Sequence, residues 1–147
     1  MGNDFVVTVI FCDDVRFEIG GKITLVGIYR GVMGIAPQVT ILPKVVAMVM
    51  LSGPRSDVGT KFNIRLKDRD TILISAIVEL DQSLQSVGDH PLDGLDADIA
   101  YANIPIELLG FVPHGGERLV VEIDAGAFSF RSDVLAVVRP DRDLFTA

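Results

Sequence analysis

The stretch that decides the fold runs from Cys12 to Arg30 and reads CDDVRFEIGGKITLVGIYR. Gly20 and Gly21 lie between two runs of strand-forming residues, a position typical of a two-residue hairpin turn, whose positive φ angles strain any residue but glycine. The second run, up to Tyr29, is rich in β-branched and aromatic side chains, which suit a pleated and half-buried surface. We therefore predict a tight hairpin whose second arm is a central strand.

The rest of the chain repeats strand signals at short intervals. Residues 4–11 and 44–52 are short apolar runs bounded by turn residues, whereas residues 61–67 alternate strictly between polar and apolar. Residues 31–43 are predicted as a loop with a brief extended segment at 39–41, and further strands are predicted over 71–80, 99–107, 117–124 and 127–138. About eight to nine strands with this spacing predict an all-β fold, an antiparallel β-sandwich of immunoglobulin-like or related type. We expect one domain over residues 1–139 and a C-terminal tail over 140–147.

Three features predict where particular segments lie. The row of cations along residues 61–67 would discourage edge-to-edge pairing if this strand lies at a sheet border. Pro105 cannot donate a ladder hydrogen bond, which places its strand at an edge or a bulge. Residues 108–112 are expected to form a short helical turn or an apolar connector.

The opening stretch resembles a family of uncharacterised bacterial proteins, a domain of unknown function. The residues that carry the resemblance are Cys-Asp-Asp-Val at 12–15, Gly-Lys at 21–22 and Leu-Val-Gly-Ile-Tyr at 25–29, with a looser similarity at 42–44 and 116–123. The resemblance implies a small all-β domain. It implies no activity, cofactor or catalytic residue.

The composition indicates the number of domains and the cellular compartment of the protein. A chain of 147 residues fits one domain with its own core. A single cysteine excludes an internal disulfide, and no signal-peptide pattern opens the sequence, so we expect a cytoplasmic protein. The longest nearly uncharged span, residues 31–54, is interrupted by prolines, glycines and a lysine, and no membrane span is predicted.

Charge argues against nucleic acid as a partner. The net charge is −7, and residues 81–147 hold four Lys and Arg against twelve Asp and Glu. Phosphate backbones are bound by clustered Lys and Arg, which this chain lacks. Glycine-rich phosphate loops are missing too, so no cofactor is predicted.

Cys12 stands beside Asp13 and Asp14, a grouping that could suggest a nucleophile or a metal ligand. Successive strand residues point to opposite faces, and neighbouring carboxylates raise the pKa of a thiol rather than activate it. We therefore interpret Cys12 as a buried structural residue.

The acidic loop at residues 81–98 is the weak candidate for a metal site. It carries Asp89, Asp93, Asp96 and Asp98, and Ca²⁺ is bound by oxygen ligands of this kind. The spacing is not that of an EF-hand, so we interpret residues 81–98 as a solvated loop and keep the calcium site as the alternative. His90 and His114 each stand beside a proline, and we interpret both as surface turn residues because they cannot complete a zinc set.

Two functions from different classes remain open. The favoured one is a non-catalytic β-sandwich that acts by association with itself or with another protein. The alternative is a small metal-dependent, calcium-binding or hydrolytic enzyme that uses the acidic loop with His90 or His114.

Self-association is expected from the apolar strands. Residues 4–11, 21–29 and 44–51 carry apolar side chains on both faces, whereas a sandwich buries one face of each sheet. An outer apolar band should therefore remain, and we expect a two-fold copy of the same surface to cover it in a homodimer. The alternative cover is residues 31–43 folded across that sheet.

Overall fold

The computed structural model describes residues 4–80 and 99–140, together with the backbone of 86–87 and 90–91. In chain order the strands are β1 (Val6–Glu18), β2 (Lys22–Ile28), β3 (Val32–Gly34), β4 (Leu42–Pro54), β5 (Lys61–Asp68), β6 (Thr71–Glu79), β7 (Ser86–Val87), β8 (His90–Pro91), β9 (Ile99–Phe111), β10 (Arg118–Ala125), β11 (Phe128–Arg131) and β12 (Leu135–Val138). Between residues 4 and 139 the helical content of the described residues is one short 3₁₀ turn, Arg55–Asp57. The described part of the chain contains no helix long and apolar enough to cross a bilayer.

Ten of the strands form two sheets whose apolar faces meet, and β7 pairs with β8 separately. The first sheet has the order β2-β1-β4-β9, and the second has the order β3-β12-β10-β5-β6, with β11 also paired to β10. Within the described ranges these pairings are antiparallel, apart from β3 with β12, which is parallel. The all-β sandwich-like fold is therefore confirmed, with ten strands in the two sheets.

The core lies between the sheets and is built from alternate residues of the long strands. From β4 it takes Val45, Ala47, Val49 and Leu51, and from β5 it takes Phe62, Ile64 and Leu66. At one end Phe5 packs edge-on against the rings of Phe62 and Phe128, with ring centroids 5.0 and 5.2 Å away. The period of two in the sequence of β5 is thus also its pattern of burial.

The hairpin of the opening stretch differs from the sequence prediction in two respects. Glu18 pairs with Lys22, so the turn has three residues rather than two, and Gly20 and Gly21 have φ angles of 87° and 72°. Among the described strands β2 pairs with β1 alone and is a border strand, so the prediction of a central strand was wrong. β-branched composition indicates a strand but carries no information about its number of neighbours.

The cationic strand β5 is an interior strand of the second sheet. It lies between β10 and β6, and β6 is the border strand. The cations of β5 meet a row of anions on β10: Arg65 lies 2.6 Å from Asp124, and Lys67 lies 3.3 Å from Glu122. The charges thus pair across two strands inside the sheet and do not protect an edge.

Three other segments depart from the sequence prediction. Residues 108–111 continue β9, so the helical turn or connector was wrong, although the edge position inferred from Pro105 is confirmed. The predicted loop after Tyr29 contains β3, which joins the second sheet. The last predicted strand is divided at Ser132 into β11 and β12.

Candidate functional site: a groove beside the first strand

An open groove of about 460 Å³ lies along one edge of β1. Residues 9–11 of β1 form its base, residues 28–31 form one side, and residues 133–135, which lead into β12, form the other. Its lining is mostly aliphatic and aromatic, with Arg30 and Asp133 as the charged members. We call this feature the β1 groove.

The groove exists because β1 exchanges neighbours half-way along its length. Residues 6–12 pair with β4, and residues 12–18 pair with β2 on the opposite side. Cys12 takes part in both ladders, opposite Val46 and opposite Ile28. After Ile28 the chain leaves for the second sheet, so in the described part of the chain the first half of β1 has a strand beside it on one side alone.

The backbone of that half of β1 points hydrogen-bonding groups into the groove. The N–H of Tyr29 donates to the carbonyl of Phe11 at 2.9 Å, on the side away from β4. Because successive residues of a strand direct their N–H and C=O groups to alternate sides, Val7 and Val9 point the same way as Phe11. The strand pairings of the described residues give Val7 and Val9 no partner on this side.

Ser132 shapes the far side of the groove. Its backbone N–H donates to the carbonyl of Val121, and its Oγ accepts from the N–H of Val121, both at 2.9 Å. The hydroxyl also donates to the carbonyl of Asp133 at 2.9 Å. Ser132 therefore continues the pairing with β10 just beyond the end of β11, and it fixes the position of residues 133–135.

Asp13, Gly27 and Tyr29 form a packed unit beside the groove. Gly27 has a φ of +68°, and a Cβ built on it would lie 2.1 Å from the Oδ2 of Asp13. The Asp13 side chain thus occupies the space that glycine leaves, and it accepts a hydrogen bond from the hydroxyl of Tyr29. Burial, together with Asp13, raises the pKa of Tyr29, so the phenol stays a donor.

Asp14 faces the other side of the hairpin and binds Lys44. The Nζ of Lys44 lies 2.5 Å from Oδ1 of Asp14, and Arg16 lies 3.8 Å from Oδ2. The hydrogen bond from Lys44 lowers the pKa of Asp14, and the same bond raises the pKa of Lys44. This pair ties β1 to the start of β4 beyond the point where their ladder ends.

Cys12 is a free and fully buried cysteine. Burial raises the pKa of its thiol, with a further contribution from the nearby Asp13 and Asp14. A thiol held protonated in this way is a poor nucleophile. These properties fit the structural role expected of Cys12.

The acidic-loop candidates Asp89, Asp93, Asp96 and Asp98 lie outside the described residues, and so does the side chain of His90. In the described part of the chain no three His, Cys, Asp or Glu residues are grouped to hold a metal ion. His114 lies in a turn, where its backbone N–H donates to Glu117 at 2.7 Å. The calcium-site and enzyme hypotheses therefore stay predictions.

The prediction of an exposed outer apolar band on the first sheet is wrong for β4. Val46 and Met48 project from the face opposite the core, yet both are 0% exposed. Met48 is flanked by Ile10 on one side and Pro105 on the other, because β4 lies between two paired neighbours. Residues 31–43 do not supply the alternative cover either, since Met33, Ile35 and Val39 pack into the core between the sheets.

Arg139 is a structural residue that the sequence did not reveal. It is 2% exposed, and its guanidinium donates to the carbonyls of Val39, Pro113 and Pro37 at 2.7, 3.1 and 3.0 Å. It therefore ties two loops to the end of β12. A charged residue close to the end of the chain gives no sequence signal that distinguishes this role from a solvated one.

Comparisons with known proteins add no assignment to this geometry. The chain matches no protein-family model, no curated protein and no solved structure. The resemblance to a family of uncharacterised bacterial proteins stays a prediction.

Proposed function

We propose that this protein is a non-catalytic binding module that takes up an extended segment of another protein in the β1 groove. The observation that carries the proposal is the open edge of β1, where Val9 directs its N–H and C=O groups into the apolar groove and Val7 directs its own toward the same open side. An added strand satisfies such groups through main-chain hydrogen bonds, and its alternate side chains enter the groove.

The dimensions of the groove favour a short strand. The edge available on β1 covers residues 6–11, which corresponds to a guest of about six residues and about 20 Å. The groove volume of about 460 Å³ lies within the range of about 300–1,000 Å³ that binding pockets occupy. A guest with apolar residues at alternate positions would meet Val9 and Phe11 with one face and solvent with the other.

The groove is also preformed. Ser132 holds one side through the ladder of β10, and the backbone of Gly31 accepts a hydrogen bond from Ala136 at 3.0 Å on the other. Because both sides are fixed by backbone hydrogen bonds, little ordering of the protein would accompany binding. Preorganisation of this kind favours affinity.

A selection with random peptides tests the proposal. A displayed peptide library would be panned on the immobilised protein, and selected peptides would be synthesised and titrated into isotope-labelled protein. We expect sequences with alternating apolar residues, and we expect the amide signals of Val7 and Val9 to shift and to gain protection from hydrogen exchange.

Two variants of β2 locate the binding surface. Ile28 is 53% exposed and lines the groove, so Ile28→Asp should weaken peptide binding by about tenfold or more. Val26 is 38% exposed on the same strand but lies outside the groove, so Val26→Asp should leave binding unchanged. Peptide binding that survives Ile28→Asp would overturn the proposal. A groove that takes up an apolar dye while Val7 and Val9 exchange as before would be a small-molecule site instead.

We also propose that the protein works in the cytoplasm. The support is the lone cysteine, Cys12, which is buried and unpaired as expected in a reducing compartment. Fractionation of the source cells with an antibody against the protein tests this, and recovery from an extracellular fraction would contradict it.

A further inference from the structure

Apart from one irregularity near its start, the border strand β6 carries none of the usual protection against pairing with another chain. Between Asp70 and Glu79 the sequence is TILISAIV, with no charge, no proline and no glycine. Natural border strands are commonly protected by charges, prolines, bulges or shortness. β6 has one irregularity, opposite Leu66 and Lys67 near its start, and is regular from Ile74 onwards.

The other described border strands differ from β6 in this respect. β9 contains Pro105 and Glu107 and has a positive φ at Gly110. β3 has three residues, and β2 is interrupted by Gly27. In the described part of the chain, β6 is therefore the long border strand best suited to pair with another strand.

The hydrogen bonds at the end of β6 show which residues face the open edge. The N–H of Leu80 donates to the carbonyl of Thr60, and the carbonyl of Leu80 accepts from the N–H of Gly59, both at 2.9 Å. Leu80 therefore points its backbone groups toward the β5 side. By alternation, Ser75, Ile77 and Glu79 point theirs toward the open edge.

The side chains along this edge are apolar and exposed. Ile77 is 71% exposed, and Ile72 and Leu73 are exposed as well. Ile74, Ala76 and Val78 pack against the core, so the register of β6 with β5 is fixed from within. An ordered strand that exposes large aliphatic residues indicates a contact surface.

We propose that β6 pairs antiparallel with β6 of a second copy of this chain, about a two-fold axis through Ser75. Ser75 is the midpoint of Thr71–Glu79, so this register overlaps the two strands along their full length, with the irregular part of each strand, residues 72–74, opposite the regular part of the other. It brings Ile77 opposite Leu73 of the second copy and Glu79 opposite Thr71 of the second copy. No two like charges lie opposite each other, and each copy contributes the same surface, as a closed two-fold dimer requires.

The area available predicts a weak and reversible dimer. A strand of nine residues is about 30 Å long, and one added ladder with a few side chains buries less than the roughly 1,200–2,000 Å² of a standard interface. We therefore expect dissociation in the micromolar range, visible as a weight-average mass that rises with protein concentration.

Analytical ultracentrifugation over a range of concentrations is the first test. Ile77→Lys introduces two cations at the two-fold interface and should raise the dissociation constant by about tenfold or more. Leu109→Lys is the matched control, since Leu109 is 66% exposed on the border strand of the other sheet, and it should leave dimerisation unchanged. A monomer at all concentrations would overturn the proposal, and so would a dimer insensitive to Ile77→Lys.

Cross-linking tests the register. In the proposed dimer the two Ser75 residues face each other as a hydrogen-bonded pair with Cα atoms about 5.5 Å apart, a distance that a disulfide spans. Ser75→Cys should therefore form a covalent dimer on mild oxidation. Asn103→Cys, at an exposed position of β9, should not form a covalent dimer. The native Cys12 is fully buried and should not form one either. Equal cross-linking of both variants would contradict the proposed pairing.

Discussion

Replacing Gly27 by alanine should destabilise the fold through two separable effects. The φ of +68° at Gly27 is unfavourable for a residue with a Cβ, at a cost of about 1–2 kcal/mol. In addition, the new Cβ would lie 2.1 Å from Oδ2 and 2.8 Å from Cγ of Asp13, so the Asp13 carboxylate has to move away from the Tyr29 hydroxyl.

The two effects give a total that can be estimated. Loss of the Tyr29 hydrogen bond adds about 1 kcal/mol, because Asp13 is exposed and water replaces part of the interaction. We therefore expect Gly27→Ala to lower the free energy of unfolding by about 2–3 kcal/mol. Urea denaturation followed by circular dichroism measures this change.

A double-mutant cycle separates the two effects. In an Asp13→Ala background the carboxylate is absent, so Gly27→Ala should cost the conformational term of about 1–2 kcal/mol alone. The difference between the two backgrounds is then about 1 kcal/mol of coupling. Equal costs of Gly27→Ala with and without Asp13 would refute the packing argument. A second readout is the phenolate titration of Tyr29 in a Tyr101→Phe background, where Asp13→Ala should lower the raised pKa of Tyr29.

Two further predictions concern other parts of the fold. Arg139→Ala should lower the free energy of unfolding by about 3–5 kcal/mol in urea denaturation, because three loop carbonyls lose their donor. Arg131→Ala, at an exposed site on β11, should change it by no more than about 0.5 kcal/mol. Similar losses for both variants would contradict the role of Arg139. Lys44 lowers the pKa of Asp14, and Arg65 with Asn63 lowers the pKa of Asp124. Each carboxylate therefore contributes stability that is complete above its unfolded pKa of about 3.9 and is lost as the pH falls through its lower folded pKa. The double variant Asp14→Asn with Asp124→Asn should therefore show a shallower loss of stability with acid than the native chain, and an unchanged slope would contradict this.

The sequence predicted the elements better than their arrangement. Residues 61–67 alternate between polar and apolar because one face of β5 is buried. This alternation does not depend on which strands pair with β5. The border position of β2 and the interior position of β5 depend on which strands lie beside them. That information is spread over distant parts of the chain, since β5 pairs with β10 about 60 residues later.

The candidate site depends on the same long-range information. The opening stretch predicted a hairpin, and its residues 28–30 do line the groove. The groove itself requires β1 to change neighbours at Cys12. It also requires Ser132, more than 100 residues further along the chain than Cys12, to position residues 133–135. Gly31, with its φ of +85°, marks the point where the chain leaves β1, but a glycine at that position equally predicts an ordinary loop.

The two proposed surfaces lie on opposite sides of the sandwich, and this has a consequence for function. The groove lies where β1 and the start of β12 approach each other, whereas β6 lies beside β9 at the other border of the two sheets. A dimer formed through β6 would therefore leave both grooves open and facing away from the two-fold axis. Two linked sites bind a partner with repeated segments more tightly than one site does, provided that the partner spans the distance between them. Ile77→Lys should thus reduce the affinity for a tandem peptide while leaving that for a single peptide unchanged. Ile28→Asp should weaken the binding of both peptides without affecting the mass of the dimer, because the groove and β6 share no residue.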